Sequence, residues 1–504
     1  MTLLIKNVHI LGGVRTFPES MDVFVNGDKI SAIGDFGAKR ADVVLDGQGA
    51  YLAPGFIDVN TGSDHYLTLF DHPSQDDFLS QGVTTMIGGM CGSSLAPLLY
   101  GSLESLQKWG DPDRVNVNWH SMEEFLKVMD RRPLGVNFGT LAGHSTLRRA
   151  IVGEALRDLT KNELAVFSRA LTAALGEGAF GFSTGLDYVH ARKAPYSEIK
   201  HFADIAKTFR GVYATHLRQT NTKIKESVEE TIKLAREANV RTLISHFVPV
   251  VGSEKEYEAA LDLIEALPPE VDFHFDIYPS SSSLLPVYVF LPLWVQNGGI
   301  DVMLANINDQ WLLPRIIKDM PQFDEEHFII AQAPGSEFLV GKSLRDIKLM
   351  FGVADGREAV IRLMAAVKMK CAILYKNLNP KLAERAMKSK RSFIASNAPS
   401  FSSEAHERRL KSERTTSTFT KFLSMVKDQQ LLPLNEANTK LTAAPAKKFG
   451  HVGRGEIKEG NFADLACFKG SEIKFTVVNG VVAYKDGAFQ QTFPGKILRH
   501  SILV

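Results

Sequence analysis

Between residues 82 and 396, short apolar runs with strand character alternate with stretches of helical periodicity. This alternation limits the fold more than any other feature of the chain. The strand-like runs are 82–88, 136–141, 178–183, 212–215, 241–245, 271–278 and 393–396. Between them, stretches such as 163–175 and 224–238 repeat their apolar residues at helical spacing. Parallel strands need long crossovers, and a helix is the usual one, so the pattern predicts an α/β chain closed as a (β/α)8 barrel. The open doubly wound sheet is the alternative. It is disfavoured because no glycine-rich phosphate loop follows a first strand. Strand signals weaken within about 285–356, which predicts an excursion from the barrel.

The two ends read differently. Residues 3–9, 21–25 and 29–33 are short β runs, the last two joined by the turn Asn26-Gly27-Asp28. The runs 463–468, 474–479 and 481–485, with turns at Gly480 and Asp486-Gly487, repeat this character. One small β-sandwich domain built from both ends is therefore expected, from 1–54 and 441–504, around a barrel at 55–440.

Composition excludes several classes. The 504 residues carry 58 Lys+Arg against 57 Asp+Glu, so neither a nucleic acid nor an anionic membrane surface is expected as a partner. The most apolar stretch, 284–295, is broken by Pro286 and Pro292, and no membrane span is expected. The start, Met1-Thr2-Leu3-Leu4-Ile5-Lys6, has no secretory pattern, and three cysteines are no disulfide framework. The expected location is the cytoplasm. Self-association is left open.

In such a barrel, chemistry collects where strands end. Cys91 follows the run 82–90, His216 ends 211–215, and His246 ends 241–245. A thiolate and two imidazoles, with a fourth position for water, form a set suited to catalytic zinc. Zinc would bring its bound water's pKa towards about 7 and polarise a carbonyl oxygen. The competing reading is structural, since a buried cysteine usually behaves as a small hydrophobe. Spacing alone leaves both open.

Longer motifs add a resemblance. Leu52-Ala53-Pro54-Gly55-Phe56-Ile57-Asp58 resembles the segment that precedes His-x-His in amidohydrolases. Ser80-Gln81-Gly82-Val83-Thr84-Thr85, through Cys91-Gly92-Ser93-Ser94-Leu95-Ala96-Pro97, is similar to the N-acyl-D-amino-acid deacylases (D-aminoacylases). The likeness continues in order through Gly143-His144-Ser145-Thr146-Leu147-Arg148, Gly181-Phe182-Ser183-Thr184-Gly185-Leu186 and Tyr213-Ala214-Thr215-His216-Leu217-Arg218. It includes Ile244-Ser245-His246, Tyr278-Pro279, Lys448-Phe449-Gly450, Gly453-Arg454-Gly455 and Ala463-Asp464-Leu465, and so spans essentially the whole chain. The resemblance implies a (β/α)8 barrel beside a small β domain. It also implies hydrolysis of the amide of an N-acyl-D-amino acid and one zinc ion held by Cys91, His216 and His246. Arg414 aligns with the family's arginine for the substrate carboxylate, although the flanking His-Pro is Ser412-Glu413 here. Ser283, Tyr188 and His144 are further substrate-side candidates, with His144 also suited to orienting a neighbour.

The departures carry as much weight. Asn60-Thr61-Gly62 stands where the family has His-x-His, so the weaker second metal position is expected to be absent or rebuilt. Ser396-Asn397-Ala398 replaces Ser-Asp-Gly, whose aspartate is the family's general base and acid. Val248 stands in place of a lysine. A carboxamide is neither an acid nor a base near neutral pH, and general acid–base catalysis contributes about a hundred- to ten-thousandfold. Asp64 beside His65, or Glu404 and His406 in the following loop, could supply another acid. Each also reads as a solvated loop charge. Two functions therefore compete. One is a single-zinc amidohydrolase acting on an acylated amino acid or similar C–N bond with a non-standard proton carrier. The other is a catalytically silent relative that binds metal or a small carboxylate ligand. A reaction needing only a Lewis acid is a third, weaker class.

Overall fold

The strand Phe56–Asp58 pairs in parallel with Val83–Gly88, which pairs with Asn137–Thr140. Its continuation, Ala142–Gly143, pairs with Gly181–Gly185. The series then runs through Val212–His216, Arg241–Ile244, Phe273–Ile277 and Ser392–Ile394, all parallel. The circle closes where the Ser396 N–H donates to Asp58 Oδ1 at 3.1 Å and the Asn397 N–H to the Asn60 carbonyl at 2.8 Å. This is the (β/α)8 barrel that the alternation predicts. The computed structural model describes every residue except 13–18, 38, 101–105, 107–114, 154, 298, 403–408 and 502–504.

Barrel strands are buried on both faces, which is why they read as unbroken apolar runs. Ile57, Ile87, Leu141, Phe180, Val212, Leu243 and Phe393 point to the interior cluster that also holds Cys91. Phe56, Met86, Phe138, Phe182, Tyr213, Ile244 and Phe275 pack outward against the helices. The helix Ile224–Ala238 shows how the outer layer is specified. It buries Ile224, Val228, Thr231, Ala235 and Ala238, one stripe at the helical period, and Asn239 ends it in the left-handed conformation. Lys161–Gly176 starts at a capping box between Thr160 and Glu163. Close packing at the barrel entrance requires a glycine: a Cβ on Gly55 would lie 2.1 Å from Thr84 Oγ1.

Both ends of the chain enter one eight-stranded sheet. Thr2–Ile10 runs parallel to Val43–Pro54, with Leu3 opposite Val43. Leu465–Lys469 lies antiparallel on the other side, with Leu465 opposite Pro54. Pro54 passes directly to Gly55, whose N–H donates to the Asp464 carbonyl at 2.7 Å, and to the first barrel strand. The excursion has a core of its own that runs from Val287 to Ile373. It is built on a three-stranded antiparallel sheet of Ser282–Pro286, Phe328–Gln332 and Ala372–Lys376. It therefore extends beyond the 285–356 window, because the middle strand of its sheet, Ala372–Lys376, forms only after the helices and leads the chain back to the barrel. Cys371 sits in this core and Cys467 in that of the end sheet. Burial pushes both thiols up to about 12, as inert structural cysteines require. Among the described residues, no helix is long and apolar enough to cross a membrane.

Candidate metal centre

Three barrel strands, Val83–Gly88, Val212–His216 and Arg241–Ile244, deliver side chains to one point at the C-terminal mouth of the barrel. Ligand atoms of Cys91, His216 and His246 all lie within 4.8 Å of one another. Cys91 Sγ is 3.4 Å from His246 Nε2, and the two imidazole rings are 4.4 Å apart at 76°. Two donors on a tetrahedral zinc at ordinary bond lengths stand about 3.5 Å apart. The donor set and its spacing fit one zinc ion.

The backbone is bent to achieve this. Cys91 and His246 have φ of 54° and 38°, in the left-handed region that non-glycine residues seldom occupy. Such strain costs about 1–3 kcal/mol per residue and persists where surrounding contacts fix it. One contact is the His246 N–H, which donates to Asp276 Oδ1 at 2.8 Å. Behind Cys91, Asp64 Oδ2 accepts the Gly89 N–H at 2.5 Å. Desolvation and the nearby Arg414 guanidinium lower His246 to about 4, so its ring is neutral and available as a ligand at neutral pH.

The other half of the mouth carries Asn60, Gly62 and Asn397. Asn60 directs its amide to Asp276, 3.1 and 3.3 Å from the two carboxylate oxygens. Gly62 is tied to the Ala398 carbonyl at 2.8 Å. Asn397 ends the last strand with φ of 45°, half-buried. Asp58 and Asp276 are fully buried beneath this half, and burial raises both to about 7. Neither was singled out from sequence. Asp58 closes the strand Phe56–Asp58, so the inspection of strand ends that found His216 and His246 would have found it, whereas Asp276 lies inside the run 271–278 and carries no such mark.

The remaining candidates separate. Arg414 is 4% exposed and stacks over Tyr278 with 4.7 Å between guanidinium carbon and ring centre. Among the described residues no carboxylate pairs with it. Tyr188 lies against His216, ring centres 5.0 Å apart. Ser283 is buried on the first strand of the excursion sheet. Asp64 is only 1% exposed and serves the Cys91 loop as a brace, which corrects its reading as a solvated charge. His144 is turned away into the helix layer. Its Nε2 is 2.8 Å from Glu198 Oε1, and its ring packs against Phe167 and Phe202. A buried imidazole beside a buried carboxylate is anchored there rather than free to meet a ligand. Val248 is a half-buried hydrophobe packed on the main core. Glu404 and His406 lie outside the described residues. Sequence reading missed Asp187, two residues beyond the strand Gly181–Gly185, whose Oδ2 is 4.0 Å from His216 Nε2 and whose other partner is Arg192.

A barrel with a thiolate–imidazole cluster at its C-terminal mouth and an end-built β domain defines an amidohydrolase-type protein. No family model matches the chain. Over 466 residues it is 30% identical to the N-acyl-D-aspartate deacylase of Alcaligenes xylosoxydans xylosoxydans, covering 90% of this chain and 83% of that protein. It is 28% identical to the D-aminoacylase of the same organism over 521 residues, 98% and 97% of the two chains. A solved D-aminoacylase structure, described as defining a novel subset of amidohydrolases, matches with a TM-score of 0.79 at 27% identity over 99% of each chain. The chain belongs to the N-acyl-D-amino-acid deacylase family of the amidohydrolase superfamily, as a divergent member.

Proposed function

We propose that this protein is a single-metal member of the family that binds a small carboxylate ligand, of the N-acyl amino acid class, and has lost most or all of the deacylase reaction. Cys91, His216 and His246 would hold zinc, which supplies Lewis-acid polarisation of a ligand carbonyl when bound. Arg414 would take the ligand carboxylate. A buried guanidinium without an anionic partner among the described residues is costly, and a planar carboxylate is the group it pairs with best. Tyr188 would pack on the ligand beside His216, and Ser283 would add a hydroxyl from the excursion. The observation that carries the reading is Asn397 at the end of the last barrel strand. Its amide can position a ligand by hydrogen bonds but cannot take and return a proton.

Asp187 supports a second reading. It is a carboxylate at the rim of the cluster and could move protons in place of the missing aspartate, which would make the chain a slow hydrolase.

One experiment separates the two. Zinc-loaded protein is titrated calorimetrically with N-acetyl-D-amino acids, and release of the free amino acid is followed in parallel. Binding without turnover supports the first reading, whereas turnover that falls in an Asp187→Asn variant supports the second. Neither binding nor turnover across acidic, aliphatic and aromatic side chains would sink both.

A further inference from the structure

In the half of the mouth that carries Asn60, the backbone and the side chain of that residue are both held by hydrogen bonds. Asn60 is 1% exposed and Asp276 0%. The Asn60 N–H donates to Asp58 Oδ1 at 3.1 Å, and its carbonyl accepts the Asn397 N–H at 2.8 Å. The side-chain amide faces both oxygens of Asp276 and so presents its NH2, which has no lone pair for a cation. Asp276 is also the acceptor of the His246 N–H. A continuous chain of contacts therefore runs from Asn60 through Asp276 to the strained backbone of a metal-site histidine.

Gly62 closes the same region sterically. A Cβ there would stand 3.1 Å from the Ala398 carbonyl carbon and the Pro399 nitrogen, and 3.2 Å from Pro399 Cδ. These are mostly backbone atoms, and the Gly62–Ala398 hydrogen bond holds them in place. A larger residue at 62 requires the Ala398–Pro399 segment to withdraw.

We propose that Asn60 and Asp276 are positioning residues of the metal centre. The Asn60 amide orients the Asp276 carboxylate, and Asp276 holds the left-handed His246 backbone so that its imidazole faces Cys91 and His216. The same pair, with Ala398 and Pro399 packed on Gly62, fills the space a second cation would need. Asn60 is thus a working replacement for the family's histidine as well as a lost ligand. Outer partners that orient a ligand typically change metal affinity about 10–100-fold when removed. This inference rests on the single-metal reading above.

The test uses the full chain and zinc or cobalt alone. Zinc affinity is measured by chelator competition, and the geometry is read from the visible absorption of the cobalt-substituted protein. Asn60→Leu, compared on protein that its melting transition shows to be folded without metal, should weaken zinc about 10–100-fold and shift the cobalt bands. Asp276→Asn keeps an acceptor for the His246 N–H and should weaken zinc less, which keeps the proposal testable if the leucine variant folds poorly. Asn60→His combined with Gly62→His should still take up one zinc per chain. A parent that holds one zinc alongside an Asn60→Leu variant of equal affinity and unchanged cobalt spectrum overturns the positioning role. Two zinc ions in the double-histidine variant overturn the filled space. A parent that takes up no zinc overturns the single-metal reading itself, a result distinct from the other two.

Discussion

The two halves of the barrel mouth are built alike and differ in what they can do. One half carries Cys91, His216 and His246, and the other Asn60, Gly62 and Asn397. Both sit at strand ends, and both use left-handed backbone, at Cys91 and His246 on one side and Asn397 on the other. Both are braced by buried aspartates, with Asp64 behind the ligand side, Asp58 beneath the other and Asp276 bonded to both through the His246 N–H and the Asn60 amide. The first half presents a thiol and two imidazoles. The second presents two amides and the bare backbone of Gly62. The scaffold that shapes a catalytic mouth is therefore separable from the acid, base and metal ligands it presents. Hydrogen bonds such as Asn397 N–H to Asn60 carbonyl hold the bend whichever side chain stands at its tip.

The largest test of this contrast removes the half that kept its chemistry. Cys91→Ala takes one of three protein ligands and should abolish stoichiometric zinc. The loss should exceed the roughly 100-fold upper range for an outer-partner change. Metal analysis after gel filtration reads the result directly. One equivalent retained would place any zinc elsewhere in the molecule.

Restoring the other half tests the contrast from the opposite side. Asn397→Asp returns a proton carrier at the tip of the last strand, on a backbone already bent for it. Deacylation of an N-acyl-D-amino acid should rise about 100-fold or more over the parent, within the usual range for general acid–base catalysis. No rise in a variant that still binds zinc would show that the missing aspartate is not what limits this chain. Arg414→Met should act on binding alone. Removing one charged hydrogen-bonding partner typically costs about 1.5–3 kcal/mol, so affinity for an N-acyl amino acid should drop roughly 10–100-fold with zinc content unchanged.

The barrel, the end-built sheet and the three ligands were legible in the sequence because each leaves a periodic or positional mark. The stripe through Ile224, Val228 and Ala235, the apolar run 212–215 and the histidine closing it are all local signals. Asn60, Gly62 and Asn397 were legible only as departures from a family pattern. What replaced the lost groups was not legible, because it depends on contacts distant in the chain. Asn60 meets Asp276 across 216 residues and Asp58 meets Ser396 across 338. The burial of Asp64 was likewise hidden. Its sequence neighbours suggest an exposed loop, but the chain folds back so that it braces Gly89. His144 shows the reverse error, since a motif position suggested the site while Glu198, 54 residues on, claims its ring.

The smallest expected effect probes the buried acid under the emptied half. Burial raises Asp58 from 3.8 to about 7, although the Ser396 hydroxyl and the backbone N–H groups of Asn60 and Ser396 favour its charged form. In the unfolded chain its carboxyl ionises near 3.8, so between that value and about 7 the folded state holds a proton that the unfolded state has released. Folding stability from this group must then fall as pH rises through the window. The slope for one proton is at most about 1.4 kcal/mol per pH unit. Asp58→Asn removes the titration and keeps the contacts, because its Oδ1 can accept both N–H groups while its NH2 donates to the Ser396 hydroxyl. Denaturant unfolding of the metal-free parent should show stability declining from pH 5 to 7, and the variant should show a shallower decline. Equal slopes would mean that Asp58 is already ionised in the folded protein. Its three hydrogen bonds would then outweigh its burial, and the emptied half would carry a fixed negative charge.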